Sequence, residues 1–430
     1  MSGVISLLST LSLLSAFFGA PEELIVARPL SWQEAKIFQL PAEPDPEAEA
    51  ILEQYLRDLT VKGFNAQRQG VLLQTGITKL AFRNDNIPLS AASLTKIATT
   101  LAAIDKWGLD HRFATRIYRR GELRDGILNG DLIIEGEGNP FFVWEEAIAI
   151  GTFLEKAGIR EVRGNLQIIA PFYMNYKTSP RVAGQLFQQA IASTQWSAAI
   201  QKQYETMAIK LPQPNVKITG QVVVSSARPA EAQLLLRHQS FSLANILKQM
   251  NIYSNNVMAE VLSQLAGGAK TVAQLAANAA SVPQNEIQLI NGSGLGTANR
   301  ISPRGAVSML TALEGQLADL PMGVADLFPV AGRDRQGTTV GRRLPPNTVF
   351  KTGSLRTVSA LAGIVPTQKR GLVWFAIINE GSDLYELRAQ QDIFLRKLGQ
   401  AWGRDETASV GSDQPNTTEV LGDPARISAP

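Results

Sequence analysis

No cysteine occurs in the 430 residues. That excludes disulfides, zinc–thiolate sites and thiol catalysis. Histidine occurs twice, as His111 and His238. Neither lies in a motif that suggests a Ser-His-Asp triad, and the two are too far apart in sequence for a paired-histidine metal site on one helix. Charge is sparse: charged residues make up 18% and the net charge is +3. This is too mild and too scattered to argue for nucleic acid as a partner, and Arg112, Arg116, Arg119 and Arg120 read as a solvated face. The glycine-rich stretches 136–138 and 292–296 lack the strand-then-helix context of a dinucleotide loop and read as turns. The pattern asks for no cofactor and no metal. What remains is an ordinary globular composition, 45% hydrophobic, on a chain long enough for two domains with real cores.

Three short motifs stand out, each occurring once: Ser93-Leu94-Thr95-Lys96, Ser254-Asn255-Asn256 and Lys351-Thr352-Gly353. Residues 93–106 read as a helix, with Ile97, Leu101 and Ile104 on one face and Gly108 as a stop. Lys96 then lies one turn from Ser93 on the same face. A serine hydroxyl is a weak nucleophile until a base takes its proton. A lysine of ordinary pKa, about 10.4, must fall by roughly three units, about 4 kcal/mol, to act as that base near neutrality. Burial, a second cation such as Lys351 and the positive end of a helix all push in this direction.

Residues 348–350 lead into Lys351 as a strand, and 359–365 and 372–378 are two further apolar strands. Together they predict a three-strand antiparallel meander, followed by a helix with Leu384, Leu387, Phe394, Leu395 and Leu398 inward. Ser254 lies on a tight connection between two helices. Asp45-Pro46 starts an earlier helix with Ile51, Leu52, Tyr55, Leu56 and Leu59 inward. Residues 4–20 are apolar and Ser/Leu-rich, as in a signal-peptide core, although the first basic residue is Arg28.

The three motifs in this order, with Gly70-Val71-Leu72-Leu73, His111-Arg112-Phe113, Gly130-Asp131-Leu132 through Asn139-Pro140, His238-Gln239-Ser240 and Asn291-Gly292-Ser293-Gly294-Leu295, give the chain a specific likeness. It resembles the D-alanyl-D-alanine carboxypeptidases/endopeptidases of the class C low-molecular-weight penicillin-binding proteins, the peptidase S13 family. The likeness covers roughly residues 45–175 and 235–400. It implies that Ser93 is acylated with Lys96 as its base, and that Ser254 and Asn256 relay or position protons. It also implies that Lys351, Thr352 and Gly353 hold the substrate, with the terminal carboxylate on Lys351 and Thr352, and that the N–H of Ser354 completes the oxyanion hole. The offset of 161 positions from Ser93 to Ser254 exceeds the spacing of compact class A β-lactamases and matches a family with an inserted domain. Residues 181–207 read mainly as helix, where strands are usual in the family.

The expected fold is α+β: a β-lactamase/transpeptidase-like domain, an antiparallel sheet flanked by helices, with an inserted strand-rich accessory module. Its expected parts are a signal peptide or anchor at 1–22, the first half of the domain at 30–108, the module at 109–230, the second half at 231–402 and a disordered tail at 403–430. The expected function is a penicillin-sensitive serine D-Ala-D-Ala carboxypeptidase, with endopeptidase action as a variant, outside the cytoplasm. Its partners would be peptidoglycan stem peptides and β-lactams as covalent inhibitors, and the N-terminal apolar segment would give a membrane association if retained. A β-lactamase-like hydrolase and a catalytically silent wall-binding protein are the competing readings.

Overall fold

The computed structural model describes residues 44–405, 411 and 419–430; the expected signal or anchor at 1–22 lies outside them. Among the described residues no helix is long and apolar enough to cross a membrane.

A five-stranded antiparallel sheet organises the peptidase domain. Its strands run in the order Val349–Leu355, Val358–Thr367, Gly371–Glu380, Gln69–Thr75, Thr78–Arg83. The expected meander is therefore present, and the N-terminal strands join it by the pairing of Leu73 with Phe375. Alternation along the strands sends successive residues to opposite faces. Val71, Leu73, Phe350, Leu361, Phe375 and Ile377 pack with the helices Pro46–Val61 and Leu384–Trp402. Leu72, Ala360, Ala362, Ala376 and Ile378 face the other way, into the core that holds the helix Thr95–Trp107. The alanines on that face let a helix lie close. Residues Thr95 through Ala103 are all buried, so this helix is covered on every side up to its last turn. Asp45 caps the first helix by accepting from Ala48 N at 2.9 Å, with Pro46 at its first position.

The inserted module has its own sheet and core. The long hairpin Ala114–Arg124/Ile127–Gly136 is central, with the strand Gln233–Gln239 on one side and short parallel strands on the other. Helices Trp144–Lys156, Pro180–Ala190 and Ala198–Thr206 supply residues to its core, so the helical reading of 181–207 holds. Two expectations need correction. The module runs past 230, because the strand Gln233–Gln239 completes its sheet. The segment 419–430 is ordered, because Ile427–Ser428 pairs with Arg237 and His238 at that sheet's edge. Its composition hid two anchors. Arg426 donates to both carboxylate oxygens of Glu146, at 2.6 and 2.9 Å, and Glu146 also meets His238 Nε2 at 2.7 Å. Glu419 pairs with Arg112 and accepts from Ser242 N at 3.0 Å and Asn245 Nδ2 at 2.5 Å, at the start of the helix Leu243–Tyr253. The arginines read as a solvated face are held individually: Arg116 by Glu137, Arg120 by Asp131 and Arg119 by Gln233.

Candidate active site

Ser93 does not begin the α-helix as expected; it sits in the 3₁₀ turn Ala92–Leu94 that leads into it. Ala92 adopts φ 46°, a left-handed conformation costing an L-residue about 1–2 kcal/mol. Two neighbours maintain it. Thr95 Oγ1 donates to the Ala92 carbonyl at 2.8 Å. Gly294 lies so close that a Cβ there would fall 1.8 Å from the same oxygen. Strain of this kind collects where a functional group must be presented, and Ser93 remains partly accessible while its neighbours Ala92 and Leu94 are buried.

Lys96 is fully buried. Its Nζ lies 3.0 Å from Ser93 Oγ, 2.8 Å from Asn256 Oδ1 and 2.7 Å from the Ser293 carbonyl. Two of these partners can only accept, whereas the hydroxyl can also donate. A neutral amine has two N–H bonds for the two carbonyl oxygens, and its lone pair is then left for Ser93. Burial drives the ammonium down to about 7, against the opposing pull of the Glu260 carboxylate. Of the three expected contributors, burial is the one that lowers it.

Ser254 terminates the helix Leu243–Tyr253 in a left-handed conformation, φ 51°, and Asn255 starts the next helix by accepting from Met258 N at 3.0 Å. This two-residue joint sets Asn256 against Lys96 and leaves Ser254 to Lys351. Lys351 Nζ donates to Ser254 Oγ and to the Thr352 carbonyl, both at 2.9 Å. It is fully buried, and its pKa is held well below the ordinary value by desolvation and by the charge of Lys96. Lys351 therefore meets Ser254 rather than an open surface. Thr352 is 8% exposed.

Gly353 also meets a packing requirement that the sequence did not show. A Cβ there would lie 2.8 Å from Ala91 O and 3.1 Å from Ser93 N, so glycine lets the strand press against the turn carrying the nucleophile. The strand Val349–Leu355 is the last in its sheet. Its outer edge is covered by residues 329–331 as far as Phe350, whose N–H donates to Pro329 O at 2.9 Å. The two-residue period puts the N–H groups of Thr352 and Ser354 on that same edge, beside Ser93.

Two contributors escaped the sequence reading. Ser293 acts through its carbonyl, and Glu260 fixes that loop by accepting from Gly292 N and Ser293 N, both at 3.1 Å. Thr99 Oγ1 adds a bond to Gly292 O at 2.7 Å. The one signal was the run Asn291–Gly294, whose glycines pack where side chains would collide with Ser263 and Ala92.

A buried lysine holding a serine beneath the end strand of an antiparallel sheet belongs to a fold of the β-lactamase/transpeptidase-like class. The chain belongs to the D-Ala-D-Ala carboxypeptidase 3 (S13) family, whose model matches residues 50–181 and 181–398, and it is accordingly a peptidase. A D-alanyl-D-alanine carboxypeptidase of Haemophilus influenzae is 23% identical over 393 residues, covering 68% of this chain and 80% of the relative. A carboxypeptidase of Mycobacterium tuberculosis is 26% identical over 343 residues, covering 69% and 72%. Among solved structures, a penicillin G-acylated predatory endopeptidase of Bdellovibrio bacteriovorus, bound to its immunity protein, superposes with a TM-score of 0.69 at 20% identity, covering 84% of this chain and 99% of that one. Penicillin-binding protein 4 of Haemophilus influenzae, complexed with a β-lactam, gives 0.60 at 23%, covering 81% and 99%.

Proposed function

We propose that this carboxypeptidase removes the terminal D-alanine of peptidoglycan stem peptides outside the cytoplasm, through an acyl-enzyme on Ser93. The observation that carries the reading is the placing of Lys96 Nζ against Ser93 Oγ with both of its N–H bonds taken by carbonyl oxygens. Neutral Lys96 takes the hydroxyl proton as Ser93 Oγ attacks the penultimate carbonyl. The N–H groups of Ser93 and Ser354 receive the oxyanion. The proton held by Lys96 is handed on through Ser254, which is hydrogen-bonded to Lys351, to the departing amine of D-alanine; this leaves Lys96 neutral again, and Asn256 keeps it in place. Neutral Lys96 then takes a proton from a water as its oxygen attacks the ester carbonyl, and returns that proton to Ser93 Oγ as the ester bond breaks. The substrate lies as an added strand on the free edge at Thr352–Ser354, where a cross-linked peptide would be cleaved as in an endopeptidase. A β-lactam enters the same steps and acylates Ser93.

Intact-protein mass after incubation with labelled penicillin, followed by peptide mapping, tests this. A persistent adduct on Ser93, lost in Ser93→Ala, is expected. Rapid turnover would favour a β-lactamase, and no adduct would favour a silent wall-binding protein. An adduct on another serine would remove Ser93 from its role.

A further inference from the structure

Lys351 was expected to receive the substrate carboxylate, yet its ammonium has no exposed surface and its bonds go to Ser254 Oγ and Thr352 O. A carboxylate cannot touch it without displacing protein. A different cation is accessible at the same end of the strand. Arg388, exposed on the helix Leu384–Trp402, donates from Nη2 to Ser354 Oγ at 2.7 Å. Ser354 is itself exposed and follows the glycine that touches the Ser93 turn. The strand's alternation places Thr352 and Ser354 on one side, with Phe350, which packs against the core containing residues of the Arg388 helix. A hydroxyl and a guanidinium thus meet beside the free edge, with Thr352 two residues back on the same side. A guanidinium stays charged at any working pH and has spare N–H bonds beyond the one spent on Ser354.

We propose that Arg388 is the residue that reads the substrate's free carboxylate, with Ser354 Oγ holding the guanidinium toward the strand edge, while Lys351 serves Ser254. This rests on Ser93 acylation as proposed above. Arg388 is a specificity determinant: it moves no proton and takes no part in bond making.

Two acyl donors of one skeleton separate the roles: benzylpenicillin, which has the carboxylate, and its methyl ester, which lacks it. Second-order acylation rates should favour the acid in the native protein. Arg388→Gln should lower the acid rate about tenfold, as loss of one charge-assisted bond at an accessible site does, and leave the ester rate unchanged. Arg388→Lys should recover part of the loss, and salt should weaken the native preference. Lys351→Ala should lower both rates by a common factor. The proposal is overturned if the native protein does not distinguish acid from ester, if Arg388→Gln lowers both alike or neither, or if Lys351→Ala removes the acid preference. Acylation by neither donor would remove the Ser93 reading and this proposal together; acylation by both with no effect at Arg388 would remove this proposal alone. Thermal melting of each variant verifies that the exposed substitution leaves the fold intact.

Discussion

At the peptidase site Lys96 and Lys351 are both fully buried, and a single carboxylate, that of Glu260, pulls against the desolvation of Lys96. In the inserted module Glu146 is equally buried, but it lies between His238 and Arg426. The outcomes are opposite. Burial takes both lysines toward neutrality. Burial also pushes Glu146 up, yet His238 and Arg426 outweigh it and hold the carboxyl below its ordinary value. Charge left without a full counter-charge becomes a reactive neutral base; charge that is fully countered becomes a structural tie. Desolvation opposes the charged form in both places, and the partners decide the outcome.

The largest test of this contrast is Lys96→Ala. Removing a positioned base should slow acylation by about 10²–10⁴, while circular dichroism shows the fold retained. In the native protein the acylation rate should rise with pH through about 7, since only the neutral amine accepts the proton. Unchanged kinetics in the variant would place the base elsewhere.

On the other side, Arg426→Ala should act on stability and spare the chemistry. Removing the guanidinium leaves the buried Glu146 carboxylate to His238 alone, and since breaking a buried pair outright costs about 3–5 kcal/mol, a loss of up to that size is read as a lower urea midpoint. The acylation rate of the folded protein should stay near the native value. Because the folded-state pKa of Glu146 is depressed, its contribution is complete above the ordinary carboxylate range. It is lost as pH falls through the folded value. Glu146→Gln should therefore flatten that part of the acid-stability curve.

The smallest effect belongs to Glu260→Gln. Glu260 raises the Lys96 pKa, so its neutralisation should move the rising limb of the acylation–pH profile to lower pH. The amide oxygen can still accept from the loop. A limb that stays in place would show that Glu260 acts on the Asn291–Gly294 loop alone.

Chemistry carried by adjacent residues was legible in the sequence. The Ser93–Lys96 spacing, the Ser254 joint and the Lys351 strand all appear where the local pattern puts them. What escaped was carried by backbone or by distance. The Ser293 carbonyl has no residue-type signal. Glu260 is an unremarkable helix position until the fold brings residues 292 and 293 to it. The reason for Gly353 is a contact with a turn some 260 positions earlier. The polar composition near the C-terminus resembled a tail, because two anchors, Glu419 and Arg426, are too few to alter a compositional reading.

The closing segment sets a limit on dissecting the molecule. Ile427–Ser428 forms the outer strand of the module's sheet, and Arg426 reaches Glu146 across 280 positions of chain. A fragment cut to residues 109–240 would have every element of the module except that strand and that guanidinium. It would expose the Gln233–Gln239 strand as a raw edge open to other chains. Its Glu146–His238 pair would stand without a third member. The module is continuous in space but not in sequence, so a soluble, separately expressed version requires residues 419–430 to be supplied, either joined by a linker after Gln239 or added as a peptide.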